Sequence, residues 1–170
     1  NILCSTVLHI SIDRLNYIIA NIEKFYIEYQ KPKRDKNGAK RLNKPQYQER
    51  YGKYWSRTIN PPHEELKNIQ KCINGYLVNN IPMPDFAYGG VKKKDNILNA
   101  KQHKGRKYVF QTDLTDFYPF ISCKSVYEMF VRVGFSADVA SKLTKLTTFK
   151  GHLPQGAPTS TTIANLVFEP

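Results

Sequence analysis

Acidic residues are scarce in this chain: 14 Asp and Glu stand against 26 Lys and Arg, which leaves a net charge of +12 and a pI near 9.6. A surplus of that size points to a polyanionic partner, most simply nucleic acid. A membrane surface is the rival, but no basic amphipathic helix of the kind that lies on lipid is present. Cysteine is scarcer still. Cys4, Cys72 and Cys123 are far apart and odd in number, and no CxxC or Cys/His metal spacing occurs. That excludes a disulfide framework and a zinc site, and free thiols in a reducing cytoplasm are the expectation. Long apolar runs are missing, so no transmembrane helix is expected. The N-terminus shows no charged segment followed by an apolar one. There is no internal repeat and no clear linker.

What is there suits a globular protein. Apolar residues make up 41 % of the 170, enough for one domain with a core. The chain opens at Asn1 and reaches Pro170 inside a motif-like segment, so a chain cut at both ends is expected. Residues 13 to 29 predict an amphipathic helix from Leu15, Ile18, Ile19, Ile22, Tyr26 and Tyr29, with Asp13 as cap. From Lys31 to Arg57 ten cations face only Asp35 and Glu49, with Asn37-Gly38 as a turn signal. Tyr47, Tyr51, Tyr54 and Trp55 are interleaved with these charges. Cations mixed with stacking rings suit a nucleic-acid surface; a solvated β-hairpin or loop is the plainer alternative. A helix is predicted over 63 to 79, with Leu66, Ile69, Ile73, Tyr76 and Leu77 on one face. Residues 81 to 98 read as loop. A strand is predicted over 108 to 114, then helices over 124 to 133 and 137 to 148, the second capped by Ser136. Gly151 and Pro154 mark a turn, and a last helix starts near Ser160. One strand followed by helices predicts an α+β domain.

Asp113 falls at the end of the predicted strand, where a carboxylate can hold a hard divalent ion through oxygen. Asp116 follows three residues on. A lone DxxD is also what a turn carboxylate or a helix cap looks like. The segment Leu153-Pro154-Gln155-Gly156-Ala157-Pro158-Thr159-Ser160 sets a glycine between two prolines, which fixes a loop while letting backbone approach a ligand. Gln155 offers both a donor and an acceptor, and Ser160 could cap the helix that follows. An ordinary Gly/Pro turn would look the same.

Taken together, these segments resemble prokaryotic reverse transcriptases. Thr112-Asp113-Leu114-Thr115-Asp116-Phe117-Tyr118-Pro119 is similar to the family's motif A. Leu153 to Ser160, continuing through Ala164-Asn165-Leu166, is similar to motif B. Arg57-Thr58-Ile59-Asn60-Pro61 with Leu66-Lys67-Asn68-Ile69-Gln70 resembles the fingers motif before them. Order and spacing agree over roughly residues 55 to 168. Asn99-Ala100-Lys101-Gln102-His103 is similar to a box of retron enzymes, and Phe86-Ala87-Tyr88-Gly89 to a loop of retron and group II intron enzymes. The retron type is therefore the first expectation; group II intron-like or defence-associated enzymes come next.

The resemblance implies a right-hand polymerase, with fingers over 1–107 and the first part of the palm over 108–170. It implies an RNA-directed DNA polymerase that extends a primer 3′-OH with dNTPs on an RNA template, using Mg²⁺ (Mn²⁺ as the alternative ion), with the RNA template and primer and a structured non-coding RNA as partners. Asp113 would be catalytic and a metal ligand, joined by the Leu114 carbonyl. Asp116, Phe117 and Tyr118 would lie under the nucleotide, with the Tyr118 ring as a steric gate against a ribose 2′-OH. Gln155 and Gly156 would contact nucleotide and template base. Arg57 would hold the outer phosphates bidentately, with Lys53 as a second cation. Arg41 is the rival for Arg57, because the stretch between them reads as an insertion. Arg41, Arg50 and His103 are the expected RNA contacts. The family's aromatic-x-Asp-Asp turn occurs nowhere in this sequence, so this chain by itself is expected to bind without polymerising. An RNA-binding, maturase-like module and a template-independent defence polymerase are the alternatives. An RNA-dependent RNA polymerase is a third, which Tyr118 argues against.

Overall fold

A computed structural model describes residues 7–169. Helix α1 (Ile12–Ala20) is capped by Ser11, whose hydroxyl accepts from the Arg14 N–H at 3.3 Å. The cap is not Asp13, which sits in the first turn, where its charge still suits the helix dipole. The expected single helix over 13 to 29 breaks at Asn21. Its side-chain amide donates to the Tyr17 carbonyl at 3.0 Å, a local bond that competes with helix continuation. A 3₁₀ turn (Ile22–Phe25) follows, and Tyr26 then leaves the helical path to bridge Pro62.

Strand β1 (Tyr29–Pro32) pairs antiparallel with β2 (Ser56–Ile59), in the register Tyr29↔Ile59 to Pro32↔Ser56. The basic stretch between them is the hairpin alternative in extended form. Bridges Arg34↔Lys40 and Leu42↔Tyr54 carry the ladder outward. Its turn forms at Asn37-Gly38, where Gly38 takes φ +83 and the Asp35 carboxylate accepts from Asn37 and Ala39 N–H groups, each at 2.9 Å. Helix α2 (Pro45–Tyr51) starts on a proline and stops at Gly52.

Helix α3 (Glu64–Asn80) lies where the periodicity puts it, and it buries Leu66, Ile69, Ile73 and Leu77. Tyr76 is at the margin of that face, against Phe135. A short α4 (Asn96–Lys101), capped by Asp95, forms at the end of the expected loop. The predicted strand over 108 to 114 does not form: the segment is irregular and exposed, with Tyr108 82 % and Phe110 90 % accessible. The β-forming composition is real, but a strand needs a partner ladder. Among the described residues the only sheet is β1–β2.

Helix α5 (Phe117–Phe120) is followed by α6 (Cys123–Arg132), α7 (Ala137–Thr147) and α8 (Ser160–Val167), close to the predicted spans. Ser136 occupies the α7 cap position without a side-chain capping bond. Thr159, not Ser160, precedes α8; the Ser160 hydroxyl instead donates to the Pro154 carbonyl at 2.5 Å. Helix α6 packs on α7 and α8, α3 packs on both of these, and α1 packs on α7. One core results, built from Leu15, Ile18, Phe130, Leu146, Ile163 and their neighbours. No described helix is long and apolar enough to cross a membrane. Cys72 and Cys123 carry free thiols, and Cys4 lies outside the described residues.

A buried amide ties this core together. The side chain of Gln70, fully buried on α3, donates to the Tyr26 hydroxyl at 2.7 Å and to the Leu146 carbonyl of α7 at 2.8 Å. Burial pushes the Tyr26 phenol well above its ordinary range, so it stays protonated. Replacing Gln70 with Leu fills the same space but strands two buried polar partners. Gln70→Leu should therefore lower stability by about 2 kcal/mol, read as a lower urea midpoint; an unchanged midpoint would show that the amide is dispensable.

Candidate nucleotide and nucleic-acid site

The loop from Leu153 to Ser160 is seated on the end of β2. The Asn60 N–H donates to the Gln155 carbonyl at 2.7 Å. Gly156 takes φ +111, and a Cβ added there would stand 3.0 Å from Ile59 Cγ2 and 3.6 Å from the Pro61 nitrogen. A glycine is thus required twice over, by conformation and by closeness. Asn60 is only 3 % exposed. Its amide donates to Glu28 at 3.1 Å, and Glu28 in turn pairs with Lys150 at 3.0 Å. Lys150 sits in the turn at Gly151, both residues at positive φ. The strand that carries Arg57 and the loop that carries Gln155 are thereby held together.

From the other side, α8 receives α5. The Tyr118 hydroxyl and Thr161 Oγ1 are 3.1 Å apart. Phe117 stacks on Phe168 with centroids 5.4 Å apart and meets the Tyr118 ring edge-on at 5.3 Å. Asp116 takes the left-handed conformation, φ +50, at the cap position of α5. That turn swings the chain from the exposed 107–115 stretch inward onto α8. The Gly89-Gly90 loop packs on the same helix: Asn165 donates to the Gly89 carbonyl at 2.9 Å, and a Cβ on Gly90 would lie 2.5 Å from Thr161 Cγ2. Arg57, Gln155, Gly156, Phe117 and Tyr118 therefore lie on segments joined by direct contacts.

Asp113 and Leu114 lie outside this tight assembly, on the exposed stretch. A carboxylate and a backbone carbonyl are hard oxygen donors of the sort Mg²⁺ takes, usually as one or two protein carboxylates with phosphates and waters. The donor set fits part of such a site. No group of three His, Cys, Asp or Glu able to hold an ion occurs among the described residues. Arg57 lines an open depression with Lys31, Pro32, Lys33 and Arg34. Lys53 and Arg41 lie further out on the hairpin, over Tyr54 and Trp55 respectively. Arg50 belongs to α2, and its side chain, like those of Tyr47 and Tyr51, is outside the described residues. His103 is exposed just after α4. Sequence reasoning missed Glu28, Lys150 and Thr161 as supports. Only Asn60 carried a signal, through its place in the Arg57–Pro61 segment.

The chain is 41 % identical over 113 residues to the retron Se72 reverse transcriptase of Salmonella heidelberg (strain 579083-10), a match covering 66 % of this chain and 30 % of that protein. It is 34 % identical over 111 residues to the retron Ec86 reverse transcriptase of Escherichia coli, covering 65 % and 35 %. To the retron Mx162 reverse transcriptase of Myxococcus xanthus it is 32 % identical over 127 residues, covering 64 % and 26 %. The chain thus spans about a third of the length of the curated relatives it matches. No family model matches it.

Glu28 is the titratable group that buttresses the Asn60 contact from outside. The hydrogen bond from Lys150, then the one from Asn60, holds its carboxyl below the usual glutamate range. A depressed folded-state value contributes stability above the unfolded value, about 4.3, and the contribution is lost as pH falls through the folded value. The Glu28 contacts should hold at neutral pH and release only in acid. Carbon NMR titration of the Glu28 carboxyl should give a low value that rises toward the ordinary one in Lys150→Met. A value unmoved by that substitution would remove Lys150 as its cause.

Proposed function

We propose, from the premise that this chain is a relative of the retron-type reverse transcriptases of prokaryotes, that it forms the fingers (1–107) and the first part of the palm (108–170) of an RNA-directed DNA polymerase. The observation that carries the reading is the joining of three distant motif segments. Asn60 bonds to Gln155, and Tyr118 meets Thr161, which supports reading the fingers-like, motif A-like and motif B-like stretches as one surface. Such a surface is what nucleotidyl transfer needs, since the protein acts mainly by positioning and by neutralising charge.

On this reading Arg57 takes the outer phosphates of a dNTP, its fork matching two oxygens, and Lys53 adds a point charge. Asp116 and Phe117 shape the floor beneath the nucleotide. The Tyr118 ring, held at its hydroxyl by Thr161 and braced by Phe117, would act as the gate that excludes a 2′-OH. Gln155 and Gly156 present backbone and amide to the nascent base pair. The Asp113 carboxylate and the Leu114 carbonyl would hold Mg²⁺, which when bound supplies charge neutralisation for the phosphates. Further carboxylates would come from an aromatic-x-Asp-Asp turn outside this chain. The partners would be an RNA template with its primer, including a structured non-coding RNA.

Primer extension on RNA with dNTPs and Mg²⁺, in the full-length protein, tests this. Asp113→Asn should cut extension by roughly a hundredfold or more, the scale of losing one electrostatic partner of the reacting charge, while RNA binding persists. Tyr118→Ala should raise ribonucleotide incorporation. Extension that survives Asp113→Asn would sink the assignment, and this chain alone should bind primer–template without extending it.

A further inference from the structure

Net charge is not spread over the molecule. Residues 31 to 57 hold ten cations against Asp35 and Glu49, so +8 of the chain's +12 sits in this one stretch. Among the described residues neither acid makes an ion pair. Asp35 is occupied by the N–H groups of its own turn, and the ion pairs among the described residues all lie elsewhere, as in Arg14–Glu65 and Lys150–Glu28.

The stretch has the form of an arm rather than part of the core. None of its described side chains is buried. It is held by backbone bonds: Lys33 N–H to the Trp55 carbonyl at 2.7 Å, Trp55 N–H to the Arg41 carbonyl at 2.9 Å, and Arg41 N–H to the Lys33 carbonyl at 2.8 Å. Three strands of chain are thereby locked together with their cations outward. The rings of Trp55 and Tyr54, 42 % and 39 % accessible, already carry cations. Lys33 Nζ stands 3.9 Å from the centre of the Trp55 ring and the Arg41 guanidinium 5.0 Å from it. Lys40 and Lys53 stand 5.3 and 5.8 Å from the centre of Tyr54. A base stacking on either ring would have to displace cations attracted to its face.

We propose that this arm, residues 33 to 55, grips the sugar–phosphate backbone of RNA without reading bases, and that Trp55 and Tyr54 serve to hold its cations in place rather than to stack nucleobases. The inference rests on the reading of the protein as one that works on RNA. Lys53 apart, it adds an affinity surface beyond the nucleotide-binding residues, one whose grip is set by counterion release.

The test uses the full-length protein, with Lys33, Lys36, Lys40 and Lys44 all changed to Ala. These side chains lie outside the core, so the fold should persist, which circular dichroism checks. Binding is followed by anisotropy of labelled single-stranded RNA across a salt series, with uridine-only, adenine-only and abasic strands. The quadruple variant should bind all three roughly tenfold more weakly at moderate salt, and the slope of log affinity against log salt should become shallower by about 3, as expected for losing four phosphate contacts on a single strand. Trp55→Leu should weaken all three strands by one common factor. Unchanged affinity and slope in the quadruple variant would overturn the proposal and turn attention to an acidic protein as the arm's partner. A Trp55→Leu loss confined to base-bearing strands would overturn it in favour of stacking. Extension at saturating RNA is read separately. Its failure in the unaltered protein would remove the polymerase reading, whereas the binding series would still decide the arm.

Discussion

The hydrogen bond from Asn60 to the Gln155 carbonyl is the contact on which the arrangement of the site depends. Its donor is a backbone N–H in a residue almost wholly withdrawn from water, where an unpaired donor would carry a full desolvation cost. Around it the packing leaves no slack: Gly156 meets Ile59 at the limit of what a hydrogen in place of a side chain permits. Upstream of the bond lies β2 with Arg57. Downstream the loop closes on itself through Ser160 and Pro154 and launches α8, whose Thr161 meets Tyr118. Movement at Asn60 would thus be felt at both ends of the proposed nucleotide site. Glu28 and Lys150 buttress the bond from outside, through an exposed ion pair whose own contribution is modest but whose carboxylate also accepts from the Asn60 amide.

Two physically different bodies meet at that contact. The helical part is held by apolar burial, with Phe130, Leu146, Leu66 and Leu15 fully enclosed, and with Gln70 fixing how α3, α7 and Tyr26 fit. Residues 31 to 57 of the hairpin have no buried side chain among those described and keep most of the net charge. Like charges so crowded work against compactness. The backbone ladder and the cation–ring contacts hold the arm in spite of that repulsion, and a polyanion would relieve it. Affinity for such a partner and the local shape of the arm are therefore linked by the same charges.

Much of the helical part was legible in the sequence because it depends on local periodicity. Leu66, Ile69, Ile73 and Leu77 recur as one helical face does, and α3 follows within a residue of the expected bounds. The strand over 108 to 114 was illegible for the opposite reason. Its residues favour β structure, but a strand is a relation between two segments, and no described segment supplies the other half. The break at Asn21 escaped because the apolar spacing runs on through Tyr26; a side-chain bond to Tyr17, not hydrophobicity, ends the helix. At the site, Gln155, Gly156 and Arg57 stood out as residue types in a pattern. Glu28 did not, because its meaning arises only when the fold brings it to Lys150, 122 positions away.

The site's two sides differ in how firmly they are fixed, and the difference follows from what each would have to do. Tyr118 is tethered at its hydroxyl and braced at its ring, and Phe117 beside it is stacked in turn. If Tyr118 acts as the proposed gate, such fixity serves it, because discrimination of one hydroxyl depends on position to well under an ångström. Asp113, beyond the left-handed turn at Asp116, stands on an exposed stretch with no hydrogen bond among the described residues to aim its carboxylate. A metal ligand can be aimed by the ion and by the other ligands that converge on it. The sugar side would therefore be preorganised by this chain's own packing, whereas the metal side would gain its order only as the ion, the phosphates and further carboxylates assemble.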